Sequence, residues 1–240
     1  MLQVAGEERD RLQRWAAAGR QVRAVVHAAQ TPAPARNVIA VIAGRDPERA
    51  PIGVVTPRSG WWSCAAERGG GIACWLEILR AVQHATPLRT VQFVATSGHE
   101  IDFLGFETYL RRRQAAATAA AFWLHLGMNI GAADPNQGVL RATDTALLAV
   151  AVEALDAHRA GPYSIAPVGA TPVGEANNVA RRGGRFISLV GPSAYFHLRS
   201  DSYPEAVNVE SISCYAAAWA ELIVRVATTR DTVPGDAATA

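Results

Sequence analysis

Short apolar segments alternate with amphipathic helical segments along most of the chain, and this alternation restricts the fold more than any other feature. The apolar segments have the length and composition of buried strands, and they lie at residues 37–43, 52–56, 90–96, 121–126 and 186–190. Segments with helical periodicity lie between these apolar segments or after them, at residues 72–85, 106–116, 145–158 and 209–228. Strands separated by helices predict an α/β fold, in which helices cover both faces of a mostly parallel mixed sheet.

The composition excludes several classes of partner. The chain has 240 residues, half of them hydrophobic, so it can bury one substantial core. All 23 basic residues are arginine, and a formal net charge of only +2 predicts neither nucleic acid nor a membrane as a partner. The first ten residues lack the apolar segment of a signal peptide, so we expect a cytoplasmic protein. Whether the chain extends upstream of Met1 stays open, as does its oligomeric state.

Loops at the carboxyl ends of the predicted strands carry the polar residues with catalytic chemistry. In a parallel sheet these ends meet at one edge, which is where ligands bind. Three of the loop residues, Glu67, Glu100 and His197, would supply two carboxylates and an imidazole. Such a set can hold zinc and leave a fourth position for water or substrate. The alternative interpretation is that each of the three side chains is simply paired or solvated.

Other side chains in the same loops have two interpretations each. Cys64 precedes a glycine triplet that opens a helix, where the helix-end field favours a thiolate nucleophile partnered by His99 or His125. An inert thiol is the alternative. Trp61 and Trp62 form either a wall of a substrate pocket or ordinary packing.

Five segments resemble, in order and spacing, the co-catalytic zinc aminopeptidase family, whose relatives include glutaminyl cyclases and glutamate carboxypeptidase. The segments are Asn37-Val-Ile-Ala, the strand 52–55, the helix start Glu67-Arg-Gly-Gly-Gly-Ile-Ala-Cys-Trp-Leu-Glu77, the loop Phe93-Val-Ala-Thr-Ser-Gly-His-Glu100 with Leu104-Gly105, and Phe196-His197 with Asp201. The resemblance implies a zinc-aminopeptidase-like domain at 37–230. Residues 1–36, a predicted helix at 6–18 and strand at 21–28, would be the remnant of an apical domain, and 231–240 a disordered tail.

Carried over residue by residue, the resemblance implies a degenerate site with one zinc. The family's His-x-Asp-Ser loop falls on residues 56–59, so the first metal's histidine is absent and Arg58 replaces its aspartate. The Asp-Asn pair of the next motif falls on Glu67 and Arg68. The general base falls on His99, and the ligands of the remaining zinc are matched by Glu67, Glu100 and His197. The next aspartate falls on Gly127, two residues after His125.

Two functions follow from this resemblance. The first is a metallohydrolase that acts on an amide or peptide-like small molecule or short peptide, by hydrolysis or by cyclisation as in glutaminyl cyclases. In it His99 is the base, Arg58 and Arg68 hold a substrate anion or oxyanion, and Asp201 orients His197. The substrate would be contacted by Trp61, Trp62, Ser59, Glu175 and Asp201. The second is a metal-free degenerate homologue, because Arg58 and Arg68 repel a dication. In it Glu67 pairs with Arg58 or Arg68 and Glu100 with an arginine or with His197, and the arginine-lined cleft binds an acidic ligand or partner protein.

Overall fold

The computed structural model describes residues 6–29, 31–134, 138–230 and 233. Contacts divide the chain into two units, Met1–Pro34 and Ala35–Ala240. In the first unit, a 3-10 turn at Gly6–Glu8 leads into helix α1, Arg9–Ala17. The strand that the sequence predicts at 21–28 is not formed, and Val22, Val25 and Val26 are exposed. Alternating valines make a strand only where a neighbouring strand supplies hydrogen bonds.

The described part of the second unit forms one mixed sheet of seven strands in the order β1-β3-β2-β4-β7-β5-β6. The strands are β1 (Val38–Ile42), β2 (Ile52–Pro57), β3 (Val91–Thr96), β4 (Phe122–Leu126), β5 (Gly138–Ala142), β6 (Tyr163–Ile165) and β7 (Phe186–Val190). The central strands β3, β2, β4 and β7 are parallel, whereas β1 pairs with β3 and β5 with β7 in antiparallel fashion. The carboxyl ends of the four central strands therefore meet at one edge.

Helices cover both faces of this sheet. They are α2 (Gly70–Ala85), α3 (Leu104–Arg112), α4 (Ala116–Ala119), α5 (Thr145–Ala157), α6 (Glu175–Ala180) and α7 (Val209–Thr228), and a π-helical turn at Ala65–Gly69 precedes α2. One core contains α2, α5 and α7 around residues such as Trp75 and Trp219, and the other contains α3 and α6 around Phe106 and Trp123. The predicted fold class is confirmed. None of the helices in the described residues is long and apolar enough to cross a bilayer.

The departures from the sequence-based prediction lie in short or charged segments. Strands β5 and β6 have no strong apolar pattern, because β6 is the edge strand, β5 is its neighbour, and both are only partly buried. The helix predicted at 106–116 is divided into α3 and α4, with the break at Arg113 in the charged run. The predicted disordered tail at 231–240 lies outside the described residues, apart from Val233, which is buried in the core.

Glycine at position 70 is required by a close backbone approach. A Cβ atom built there would lie 1.8 Å from the carbonyl oxygen of Ile130, whereas a Cβ on the neighbouring Gly69 meets nothing within 4 Å. Both glycines have helical backbone angles. The sequence therefore places the π-helical turn directly against the loop that follows β4.

We predict that Gly70→Ala lowers the free energy of unfolding by about 1–3 kcal/mol, because the methyl group must push apart two packed backbones. Gly69→Ala is the matched control, and it should raise that free energy slightly by removing conformational freedom from the unfolded chain. Chemical denaturation of both variants measures the difference. Equal effects of the two substitutions would contradict the close packing.

Candidate functional site

The candidate site lies where the parallel strands β2, β3, β4 and β7 end. Two groups of side chains meet there. The first, the arginine cluster, contains Ser59, Glu67, Arg68, Glu100 and His197. The second, the imidazole cluster, contains Thr96, His99, His125, Glu175 and Ser188. Ser59 links the two clusters, since its hydroxyl accepts a hydrogen bond of 3.1 Å from the backbone N–H of His99.

The backbone around Glu67 is held by a buried carboxylate. Asp201 accepts hydrogen bonds from the N–H groups of Ala66, at 2.6 Å, and Glu67, at 3.0 Å. N–H groups at the start of a helical turn have no carbonyl partner within the turn, and a carboxylate is a favourable cap for them. Both carboxylate oxygens of Asp201 thus bond to backbone N–H groups. The expectation that Asp201 orients His197 stays a prediction.

Arg68 occupies the centre of the arginine cluster. Its Nη2 lies 2.7 Å from Oε1 of Glu67 and 3.2 Å from Oε1 of Glu100, and its Nε donates to the carbonyl oxygen of Ser59 at 2.7 Å. The side chain is 3 % exposed. The sequence predicted that this arginine binds a substrate anion, but in the structure its guanidinium faces the chain's own carboxylates.

The two carboxylates of the cluster respond differently to this environment. Burial raises the pKa of Glu67 above its ordinary value, and the charges of Arg68 and His197 offset only part of that effect. Burial also acts to raise the pKa of Glu100, but hydrogen bonds from Ser59 and Arg68 outweigh it and hold that pKa below its ordinary value. Ser59 donates to Oε2 of Glu100 at 2.7 Å. Glu100 is therefore the more firmly ionised of the pair.

His197 and the tryptophans form the outer side of the arginine cluster. Nε2 of His197 lies 3.4 Å from Oε1 of Glu67, and its ring stacks on Phe196. Trp61 packs edge-on against His197 at a centroid distance of 6.2 Å, while Trp62 lies beneath the guanidinium of Arg199. Both tryptophans are about half exposed or more, at 48 % and 60 %. They leave an apolar rim beside the polar site.

The imidazole cluster is organised around Glu175, which is fully buried. Nδ1 of His99 lies 3.1 Å from both carboxylate oxygens, and Nε2 of His125 lies 3.4 Å from Oε2. Thr96 donates a hydrogen bond of 2.8 Å to Oε1. Burial acts to raise the pKa of Glu175, but the hydrogen bonds and charges of His125 and His99 outweigh it and hold the pKa far below its ordinary value.

Glu175 fixes the chemistry of His99. A carboxylate on Nδ1 favours the tautomer that carries its proton there, which leaves Nε2 as the basic nitrogen. His99 is 21 % exposed, so part of its ring reaches solvent. His125 is 1 % exposed, and its Nδ1 lies 2.8 Å from the hydroxyl of Ser188. Of the two imidazoles, His99 is the one that a ligand can reach.

Arg58 and Cys64 have surroundings that differ from those that the sequence-based prediction assumed. Nη1 of Arg58 donates to the carbonyl oxygen of Arg36 at 2.8 Å and to Ser97 at 2.7 Å. Burial and the charge of Glu67 raise the pKa of Cys64 to about 11, which is the opposite of the shift that a thiolate nucleophile needs. The sequence signals gave no indication of Thr96 and Ser188, and they predicted that Glu175, which is fully buried, contacts the substrate.

The residues present do not fit the zinc ion that the resemblance implies. Zinc binds carboxylate oxygens at about 2.0–2.2 Å, in the space that Nη2 of Arg68 occupies between Glu67 and Glu100. A guanidinium keeps its charge at every ordinary pH, so it cannot yield this place by deprotonation. Among the described residues, no group of three or more histidines, cysteines, aspartates or glutamates is arranged to hold a metal.

Comparison with solved structures identifies the fold. No protein-family model and no curated protein sequence matches the chain. The zinc aminopeptidase BSAP from Bacillus subtilis matches with a TM-score of 0.68 and 14 % identity, over 82 % of this chain and 52 % of that one. A peptidase M28 precursor from Shewanella amazonensis SB2B matches with a TM-score of 0.64 and 20 % identity, over 82 % of this chain and 46 % of that one.

A third solved structure gives the same result. The aminopeptidase from Aneurinibacillus sp. strain AM-1 matches with a TM-score of 0.66 and 14 % identity, over 82 % of this chain and 49 % of that one. The chain thus spans about half the length of each of these three proteins. The described α/β domain has the fold of the zinc aminopeptidases.

We predict that Glu175→Gln lowers the free energy of unfolding at pH 7 by about 2–3 kcal/mol, because buried hydrogen bonds to a charged group are lost. The folded-state pKa of Glu175 is depressed, so its contribution is present above the unfolded value of about 4.3 and is lost as the pH falls through the folded value. The difference between wild type and variant should therefore shrink below about pH 4.3.

Denaturation curves between neutral and acid pH measure this dependence. Glu77→Gln is the control, since Glu77 forms an exposed ion pair with Arg80 on α2 and should change stability by less than about 1 kcal/mol. A stability difference for Glu175→Gln that stays constant into acid would contradict the buried ionised carboxylate.

Proposed function

We propose that this chain is a ligand-binding protein that has the fold of zinc aminopeptidases and works without a metal. The observation that carries the proposal is the guanidinium of Arg68 between Glu67 and Glu100. Two unit charges 4 Å apart repel by about 4 kcal/mol at an effective dielectric constant near 20, so a dication beside the guanidinium meets about 8 kcal/mol of repulsion. This repulsion disfavours the single-zinc hydrolase that the resemblance implies.

The charge of the cleft supports a ligand that carries an amine. An acidic ligand would need guanidinium groups that face it, but Arg68 donates hydrogen bonds to Glu100 and to the carbonyl oxygen of Ser59, and it forms an ion pair with Glu67. In the arginine cluster two carboxylates face one guanidinium. A positively charged amino group complements that excess of negative charge.

The apolar rim supports a peptide-like remainder of the ligand. Trp61 presents an exposed aromatic ring beside His197, and Trp62 presents one beneath the guanidinium of Arg199. Aromatic rings bind apolar side chains and also attract ammonium groups. The proposed ligand is therefore a small molecule or short peptide with a free amine and an apolar side chain.

A second candidate function is supported by the pairing of His99 with Glu175. Nε2 of His99 is placed to accept a proton in the cleft, from water in hydrolysis or from an attacking amine in cyclisation. Either reaction breaks the amide bond of the substrate, and the proton held by His99 passes to the departing nitrogen. In this candidate Arg68 neutralises the carboxylates and takes no part in proton transfer.

We predict that protein purified without added zinc contains far less than one equivalent of bound metal, because the guanidinium of Arg68 occupies the space between the carboxylates that would bind it and repels a dication. Elemental analysis after dialysis measures the content. One equivalent of zinc in the wild type that is lost in Glu100→Gln would overturn the metal-free proposal.

We predict that a hydrophobic dipeptide amide with a free amino group binds at least about tenfold more tightly than its N-acetylated counterpart, since only the free amine complements the carboxylates. Calorimetric titration measures both affinities. Glu100→Gln should remove the preference, and Glu77→Gln, on the exposed face of α2, should leave it unchanged. Tighter binding of the acetylated form would contradict the amine-bearing ligand. Turnover of the amide that His99→Ala abolishes would favour the second candidate.

A further inference from the structure

Arg199 is an exposed arginine in the loop that follows β7. Its guanidinium lies over the ring of Trp62, with the central carbon 5.7 Å from the ring centroid. Among the residues that the structure describes, this guanidinium has no carboxylate partner and donates no hydrogen bond. The planar fork of N–H groups on a guanidinium matches the two oxygens of a carboxylate. Arg199 therefore has donors to offer a ligand.

Contacts between two loops place Arg199 beside the arginine cluster. His197, two residues earlier in the same loop, lies 3.4 Å from Oε1 of Glu67 through its Nε2. Trp61, the neighbour of Trp62, packs edge-on against the ring of His197. Trp62 and His197 both have left-handed backbone conformations, with φ angles of 53° and 62°. Such costly conformations gather at binding sites, where they aim side chains. The two loops thus hold an indole, an imidazole and a guanidinium side by side at the apolar rim.

The arginine cluster and Arg199 have opposite charge. In the arginine cluster two carboxylates, Glu67 and Glu100, face the single guanidinium of Arg68. At the rim, the guanidinium of Arg199 contacts an uncharged ring and no described carboxylate. A ligand with a positive charge at one end and a negative charge at the other complements both places.

We infer that Arg199 binds a carboxylate of the ligand, so that the ligand is a short peptide with a free amino group and a free carboxyl group. The inference rests on the function proposed above and narrows its ligand from amine-bearing molecules to zwitterions. The sequence-based prediction gave the role of binding an anion to Arg58 and Arg68, whose guanidinium groups bond to oxygens of the chain itself. Arg199 supplies that role from another loop, and the ring of Trp62 supports its guanidinium.

The test compares free peptides with their C-terminal amides by calorimetric titration. Leucyl-leucine and trileucine are the probes, because each added residue lengthens an extended peptide by about 3.3–3.6 Å. For at least one of the two lengths, wild-type protein should bind the free acid at least about tenfold more tightly than the amide, since the amide cannot form the charge-assisted pair of hydrogen bonds. Arg199→Gln should remove this preference. Arg199→Lys should keep only part of it, because an ammonium group lacks the planar fork.

Arg112→Gln is the matched control, since it removes an exposed arginine from the C-terminal end of α3 and changes the net charge by the same amount. It should leave the preference for the free acid unchanged. The midpoint of thermal unfolding should be the same for Arg199→Gln and wild type, because the side chain is exposed. A preference that is lost in Arg58→Gln and kept in Arg199→Gln would overturn the inference.

N-acetylation of the same peptides separates this inference from the proposed function. If acetylation weakens binding but the C-terminal amides bind as tightly as the free acids, the amine-binding function stands and the role of Arg199 is wrong. If acetylation has no effect, the proposed function fails, and the zwitterionic ligand fails with it. Absence of binding by any of these peptides would overturn both.

Discussion

The arrangement of the site depends on the ion pairs between one buried guanidinium and two carboxylates. Arg68 has Glu67 on one side and Glu100 on the other, and all three side chains are largely withdrawn from water. Removal of one member of such a group leaves a buried charge without compensation, which costs several kcal/mol. The loops after β2 and β3 are therefore held together by this arginine.

The fold brings together the loops that carry Arg68 and its two carboxylate partners. Four parallel strands bring their carboxyl ends to one edge, and Asp201 holds the start of the π-helical turn that carries Glu67 and Arg68. The missing side chain of Gly70 lets this turn approach the loop after β4. The described domain thus has the fold of the zinc aminopeptidases, and the guanidinium of Arg68 lies between Glu67 and Glu100 at the place where the resemblance implies a metal.

Beside this cluster, the imidazole cluster keeps chemistry that the arginine does not touch. Glu175 is ionised and buried, and it binds Nδ1 of His99, which leaves Nε2 as the basic nitrogen. In the proposed functions the arginine cluster binds the ligand and the imidazole cluster transfers protons, and Ser59 joins the two clusters. A ligand held by the arginine cluster would lie next to the only described imidazole of the other cluster that reaches the surface.

Hydrophobic periodicity was sufficient to predict the central strands and the helices α2, α5 and α7, because these elements are buried and obey a simple period. It missed β6, the half-exposed edge strand, and its neighbour β5, and it predicted a strand at 21–28 that lacks the hydrogen bonds of a sheet. The strand-end loops of the candidate site followed from the topology. Pairing of Arg68 with the carboxylates was only one of the alternatives that the sequence left open, and the contact of His99 with Glu175 was not predicted, since each contact joins loops far apart in sequence through side-chain directions that no spacing encodes.

The central claim is that the guanidinium of Arg68 lies between Glu67 and Glu100. The most direct test is diffraction at the zinc absorption edge, on crystals of the wild-type protein grown with zinc. The account predicts that density for the Arg68 guanidinium lies between Glu67 and Glu100 and that no anomalous peak is found there. An anomalous peak within about 2.2 Å of those carboxylates, with the guanidinium turned away, would contradict it.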